Sequence, residues 1–146
     1  MSPARVLFFF VDGIGIGPAG DRNPFTAARL PTFETLLDGR LPCAGAAPRH
    51  GATASLVALD ASHGVEGTPQ SGTGHATLLT GEDAVARFGR HHGPWVPTAL
   101  RPLVAVSSIL ARADAAGRRV AFANAYPEEL LARVPDDVPV AEAVMS

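Results

Sequence analysis

Two polar residues far apart in the sequence carry the chemistry that this chain offers, and Ser71 is the first of them. It lies in the Gly- and Thr-rich stretch 67–75, which closes with His75, and the apolar residues 76–80 then predict a helix that a glycine ends. A hydroxyl at a helix start lies among unpaired backbone N–H groups, where the helix dipole favours a phosphate and the alkoxide form of serine. Taken alone, the stretch is more typical of a surface loop in which Ser71 or Thr73 caps a helix.

Asp12 is the upstream group that changes this interpretation. It follows residues 5–11, a continuous β-branched and aromatic run that predicts a central strand covered on both faces of a parallel sheet. Open α/β sheets bind their ligands at the carboxyl ends of such strands, although an Asp-Gly pair is also common in turns. A carboxylate and a serine hydroxyl together suit a divalent cation, which lowers the pKa of the hydroxyl and neutralises a phosphate.

A metal-free serine hydrolase is the weaker alternative from the same residues. Asp60, His63 and His75 could complete a Ser-His-Asp set around Ser71. However, residues 69–73 read Pro-Gln-Ser-Gly-Thr and lack the first glycine of the G-x-S-x-G nucleophile turn. The sequence therefore favours the metal site.

The composition limits the class of protein. The 146 residues fit one domain, with 47% apolar and 18% charged residues, and the net charge of −2 gives no basic footprint for nucleic acid or an anionic membrane. A single cysteine, Cys43, excludes an internal disulfide and a cysteine-based zinc cluster. The longest apolar run, residues 6–11, is too short to span a bilayer, and Asp12 interrupts it too early for a signal peptide. We therefore expect a cytoplasmic protein without a membrane or nucleic-acid partner.

The rest of the chain predicts an alternation of helices and strands. Helices are expected at 32–37 with Thr32 as the cap, at 98–116, and from Pro127 onwards. A strand or edge hairpin is expected at 55–60, and a second parallel strand at 120–126. The polar stretch 81–97 is expected to expose Arg87, Arg90, His91 and His92 near the mouth of a site. The predicted fold is α/β, a mainly parallel sheet flanked by helices.

Two motifs resemble a known family. Residues 11–15, Val-Asp-Gly-Ile-Gly, together with residues 71–75, Ser-Gly-Thr-Gly-His, are similar to the alkaline phosphatase superfamily. Within it, they resemble the metalloenzyme branch that includes cofactor-independent phosphoglycerate mutase and phosphopentomutase. The phrases at 69–71, 79–81 and 122–126 look more like shorter, uncharacterised members of that branch. The resemblance covers nearly the whole chain in order.

The resemblance implies an activity and roles for particular residues. Asp12 would ligate a metal, and Ser71 would be the nucleophile that becomes a phosphoserine and also contacts the metals. Supporting or phosphate-binding roles would fall to a further set, namely Gly72, Thr73, His75 and Asn124. The complete enzyme would hold two divalent ions, Mn²⁺ or Zn²⁺ with Mg²⁺ as a third candidate. It would act on a small phosphorylated substrate as a phosphatase (a hydrolase) or a phosphomutase (an isomerase).

The chain departs from this family in its C-terminal half. Members carry an Asp with a His a few residues on, then an Asp-His pair and another His, whereas this chain has no histidine after His92. Each divalent ion needs roughly four to six ligands, which Asp12 and Ser71 cannot supply alone. We therefore expect residues 1–146 to be the N-terminal part of a longer, alkaline phosphatase-like domain. The alternative is an inactive fragment, or a subunit that needs a second chain for the missing ligands.

Overall fold

The computed structural model describes residues 5–46, 48–123 and 128–131, in two compact units, Met1–Leu59 and Asp60–Ser146. The first unit contains the helices α1 and α2 and the strands β1 and β2, at Pro24–Ala27, Pro31–Leu36, Arg49–His50 and Ser55–Leu56. Among its described residues, the second contains a 3₁₀ turn at Thr98–Leu100 and five helices, α3 to α7, at Ser71–Thr80, Ala84–Phe88, Arg101–Ser107, Ile109–Ala115 and Glu128–Leu131. None of the described helices has the length and apolar character needed to cross a membrane.

The predicted mainly parallel α/β fold is wrong. Within the described residues the one sheet has two antiparallel strands, in which Arg49 pairs with Leu56 and His50 with Ser55. Residues 5–11 and 120–123, both predicted as parallel strands, have no regular secondary structure, and residues 124–126 lie outside the described part. A central strand needs hydrogen-bonded neighbours on both sides and cover on both faces. The described chain provides neither around residues 5–11, where Val6 is 92% exposed and Phe9 80% exposed.

The first unit forms short, capped elements with little buried core. Asn23 caps α1, because its side chain accepts a hydrogen bond from the amide of Phe25 at 3.0 Å. The predicted helix at 32–37 is confirmed as α2, but Thr32 is not its cap. Leu30 occupies that position, and its amide donates to the carboxylate of Glu34 at 3.1 Å. Among the large apolar side chains described in this unit, Leu37 is the buried one.

The second unit has a hydrophobic core that positions the start of α3. Its buried members come from α3, α4, the 3₁₀ turn, α5 and the segment before that turn: Ala76, Leu79, Ala84, Val96, Leu100 and Val104. The helix predicted after Ser71 is confirmed. Gly81 ends it in the left-handed conformation, at φ +74°, and donates its amide to the carbonyl of Thr77 at 2.8 Å.

The long helix predicted at 98–116 is divided. A 3₁₀ turn leads into α5, and the chain then becomes extended at Ser108, where ψ is 152°. The hydroxyl of Ser108 accepts a hydrogen bond from the amide of Ala111 at 3.2 Å and so starts α6 as a new helix. The helix α4 lies inside the polar stretch 81–97, for which no helix was predicted. For the predicted last helix, Pro127 lies outside the described residues, and α7 follows it directly.

Candidate functional site

Ser71 is the first residue of α3, a helix of 10 residues with no acidic side chain in its first turn. Its side chain is half-buried. His75 lies four residues further on, which places it on the same side of the helix one turn away, and it is half-buried as well. The predicted placement of Ser71 at a helix start is therefore confirmed.

The segment 92–95 packs closely against this helix start. The amide of Thr73 donates a hydrogen bond to the carbonyl of His92 at 3.0 Å, and the amide of His92 donates to the hydroxyl of Thr73 at 3.2 Å. A Cβ atom on Gly72 would overlap the carbonyl oxygen of Trp95 and lie 2.7 Å from that of His92. Position 72 therefore requires glycine because two backbone segments approach each other there.

These contacts bear on how α3 could hold an anion. Gly72 and Thr73 are both buried, and the Thr73 amide, one of the first donors of the helix, already has a protein acceptor. The dipole of α3 still favours negative charge at this end. The contacts give Gly72 and Thr73 a structural role, and their phosphate-binding role stays a prediction.

A polar cleft of about 440 Å³ adjoins the start of α3. It is lined by Glu66, Gly67, Thr68, Gln70, Arg90, His91, His92 and Gly93. A Cβ atom on Gly93 would lie 3.3 Å from the backbone nitrogen of Ser71 and 3.1 Å from the Gln70 amide oxygen, so the cleft and the serine are neighbours. The sequence predicted His91, His92 and Arg90 near a site mouth, but gave no signal for Glu66 or Gln70.

Aromatic and histidine contacts fix the walls of this cleft. The ring of Phe88 packs edge-on against His92 with centroids 5.4 Å apart, and the guanidinium of Arg90 lies 5.5 Å from the same ring centroid. Nε2 of His91 is 3.2 Å from the carbonyl of Val65, which joins the two loops that form the cleft. These contacts hold the segment 90–92 in place.

Acidic side chains organise the loop before the cleft. His63 Nδ1 is 3.3 Å from Asp83 Oδ1, the same oxygen that accepts the amide of Ala86 and caps α4. Asp60 accepts the amide of Ser62 at 2.9 Å, and hydrogen bonds from the Ser62 side chain and amide, with the nearby charge of His63, hold the pKa of Asp60 below its ordinary value. His63 thus pairs with Asp83, which was not part of the Ser-His-Asp set considered from the sequence.

Two further residues that were predicted for this site are Asp12 and Asn124. Asp12 belongs to the first unit, whereas Ser71 and the cleft belong to the second. Asp12 is exposed in the first unit, where its carboxylate accepts the amide of Gly13 at 2.8 Å in a turn with φ +73° at the glycine. Asp12 and Ser71 therefore belong to different units. Asn124 falls outside the described residues.

The metal centre implied by the resemblance requires several ligating side chains close together. Across residues 5–46, 48–123 and 128–131, no group of three or more His, Cys, Asp or Glu side chains is arranged to hold a metal ion.

Comparison of the chain with protein-family models, with curated proteins and with solved structures found no match. The similarity of residues 11–15 and 71–75 to the alkaline phosphatase superfamily therefore stays a prediction from sequence.

Proposed function

We propose that this chain contributes the nucleophile of a metal-dependent phosphoryl transfer or phosphate-ester hydrolysis, with Ser71 as that nucleophile. The observation that carries the proposal is the position of Ser71 at the start of a 10-residue helix beside a polar cleft. The positive end of the helix dipole stabilises both a phosphate and the developing alkoxide there. The composition, with a net charge of −2, supports a small-molecule substrate over a nucleic acid.

In the proposed reaction the Ser71 oxygen attacks phosphorus, and the bond between phosphorus and the ester oxygen breaks. The serine proton ends on the departing alcohol, and the phosphate remains on Ser71. Water or an acceptor hydroxyl then takes the phosphate and restores the serine, which gives hydrolysis or transfer. Divalent cations, when bound, would neutralise phosphate charge and lower the pKa of the serine hydroxyl.

The proposal also assigns Asp12 as one metal ligand and places the other ligands outside this chain. Asp12 is exposed, and its carboxylate accepts the amide of Gly13 at 2.8 Å. The further ligands would come from a longer form of the protein or from a second chain. His75, one helical turn from Ser71, is proposed as a supporting residue of the same site.

The test is phosphopeptide mass spectrometry on the full chain together with the polypeptide that supplies the further metal ligands. After incubation with a phosphate ester and Mn²⁺, we expect a phosphate on Ser71, none in Ser71→Ala, and full labelling in the matched variant Ser107→Ala. Chelation with EDTA should remove the label, and Mn²⁺ or Zn²⁺ should restore it. Full turnover by Ser71→Ala would contradict the proposal, and activity indifferent to EDTA would favour a metal-free serine hydrolase.

A second candidate is a subunit that is inactive alone and associates with another polypeptide. The observation that favours it is the apolar run 6–11, in which every side chain is at least 42% exposed. Contiguous exposed apolar surface of this kind marks interaction sites in folded proteins. Under this candidate the purified chain shows no phosphoserine and no turnover, and both appear on adding the chain that supplies the missing ligands.

A further inference from the structure

The apolar run 6–11 has a charged residue at each of its two ends. Arg5 precedes the run and Asp12 follows it, and both side chains are exposed. Within the run the exposed fraction of each side chain lies between 42% and 92%. An uncharged run of β-branched, aromatic and aliphatic residues without proline or glycine pairs readily as a strand. The run is therefore an exposed, strand-forming segment bounded by a cation and an anion.

The aromatic side chains of the run are available on both of its faces. Phe8 and Phe10 are two residues apart, and their rings stack with centroids 6.4 Å apart and planes at 20°. Such a contact is typical of alternate residues in an extended chain, whose side chains lie on one face. Phe9, between them, is 80% exposed and belongs to the opposite face of an extended segment. A strand that pairs with this segment therefore meets apolar side chains on both faces.

The two end charges determine how the segment would pair with a second copy of itself. In a parallel, in-register pair, Arg5 lies opposite Arg5 and Asp12 lies opposite Asp12, which places like charges together. In the antiparallel pair that aligns the two runs over their whole length, Arg5 of each copy lies opposite Asp12 of the other. Opposite charges at such positions stabilise the pair. The segment is therefore complementary to itself in the antiparallel orientation.

We infer that two copies of this chain associate by antiparallel pairing of residues 5–12. The alignment places Phe8 opposite Phe9 of the other copy and Val6 opposite Val11, so apolar residues face apolar residues along the run. The same patch is used by both copies, as a two-fold symmetric interface requires. This self-complementarity of charge and apolar pattern favours a second copy over a different polypeptide.

The experiment measures the dimer dissociation constant of the full chain by sedimentation over a range of protein concentrations. EDTA is present, so that no cation competes for Asp12. Arg5→Asp should weaken the dimer about tenfold, because it turns two attractive cross-strand pairs into repulsive ones. Combining Arg5→Asp with Asp12→Arg should restore the wild-type constant, since the opposite charges face each other again. Arg22→Asp, the same charge change at an exposed residue of the first unit, is the matched control and should leave the constant unchanged.

The apolar part of the interface has its own variant. Phe9→Glu should weaken the dimer at least about tenfold, because it places a charge opposite an aromatic ring of the other copy. Since Phe9 is 80% exposed, the substitution should leave the fold of the single chain intact, which amide NMR spectra verify. The matched control is Val106→Glu on α5, at another apolar side chain that is 75% exposed, and it should have no effect on association.

Cysteine cross-linking measures the orientation of the two segments. Chains with Val6→Cys are mixed with chains with Val11→Cys, both in a Cys43→Ser background, and the mixture is oxidised. Residues directly opposite in an antiparallel pair lie within the distance that a disulfide requires. We therefore expect cross-links between position 6 of one copy and position 11 of the other. Cross-links predominantly between two copies of Val6→Cys would indicate parallel pairing and overturn the inference.

Three other results would also overturn it. The first is a wild-type chain that stays monomeric at all concentrations, and the second is open-ended growth beyond the dimer. The third is an Arg5→Asp effect that Asp12→Arg does not reverse. A chain that is monomeric alone, but whose amides 6–11 become protected from hydrogen exchange on adding the polypeptide that supplies metal ligands, would assign the segment to that partner instead. Phosphorylation of Ser71 is measured separately, so failure of the dimer leaves the proposed function unaffected.

Discussion

Thr73 and His92 are joined by two reciprocal hydrogen bonds between the start of α3 and the segment after α4. The Thr73 amide donates to the His92 carbonyl at 3.0 Å, and the His92 amide donates to the Thr73 hydroxyl at 3.2 Å. Thr73 is 0% exposed, so water cannot readily replace either partner. The cleft wall and the helix that carries Ser71 are therefore coupled.

Thr73→Val is expected to destabilise the protein by about 1–3 kcal/mol, because it keeps the shape of the side chain and leaves the His92 amide without its acceptor. The measurement is denaturant unfolding, together with hydrogen exchange of the His92 amide, which should become faster. Thr73→Ser is the control, since it retains the hydroxyl and loses only a methyl group. Unchanged exchange at His92 in Thr73→Val would show that the bond does not hold the segment.

Gly72→Ala and Gly74→Ala should have opposite effects within one helix. A Cβ at Gly72 would meet the carbonyl oxygens of Trp95 and His92, and displacing that backbone should cost about 1–3 kcal/mol. A Cβ at Gly74 meets nothing within 4 Å, so Gly74→Ala should stabilise by about 0.5–1 kcal/mol through its helix propensity. Thermal unfolding of both variants is the measurement, and destabilisation of equal size would contradict the close approach at position 72.

The elements predicted correctly from sequence are those that local signals determine. The helix α3 starts at a hydroxyl after a Gly/Pro-rich stretch and ends at Gly81 in the left-handed conformation, and α2 likewise ends near a glycine. Glycine stops act within a few residues, so one sequence suffices to place them. The exposure of Arg90 also followed from its position in a short polar stretch.

The errors arose where an element depends on partners distant in sequence. Residues 5–11 have strong β propensity, but a strand forms only with neighbours, and Val6 at 92% exposure has none of the expected cover. In the predicted helix 98–116, apolar periodicity gave no sign of the break at Ser108. The break is stabilised because the hydroxyl of Ser108 accepts a hydrogen bond from the amide of Ala111. The lining of the cleft by Glu66 and Gln70 likewise depends on how two loops pack.

Ser108→Ala should destabilise the protein by about 0.5–2 kcal/mol through loss of the α6 cap. Ser108 is 0% exposed and its hydroxyl accepts the amide of Ala111 at 3.2 Å. Ser107→Ala, which removes a hydroxyl from the half-buried last residue of α5, is the matched control and should have a smaller effect. Urea unfolding midpoints give the comparison, and equal midpoints for the two variants would argue against the cap.

Asp60 should titrate below its ordinary pKa, because hydrogen bonds from the Ser62 side chain and amide, and then the charge of His63, stabilise its carboxylate. A carboxyl group with a lowered folded-state pKa stabilises the fold above its unfolded pKa, and that contribution is lost as the pH falls through the folded value. Since Asp60 is exposed, the effect on total stability should be small.

Ser62→Ala should move the midpoint of the Asp60 carboxyl titration, followed by NMR, upward toward the ordinary pKa of an aspartate. The side-chain hydrogen bond from Ser62 is the largest cause of the lowered pKa of Asp60. The electrostatic effect of His63 is a smaller cause, so His63→Gln should move the midpoint less. Ser107→Ala, in α5, is the control and should leave the midpoint unchanged. A larger displacement by His63→Gln than by Ser62→Ala would mean that charge, and not hydrogen bonding, sets the pKa of Asp60.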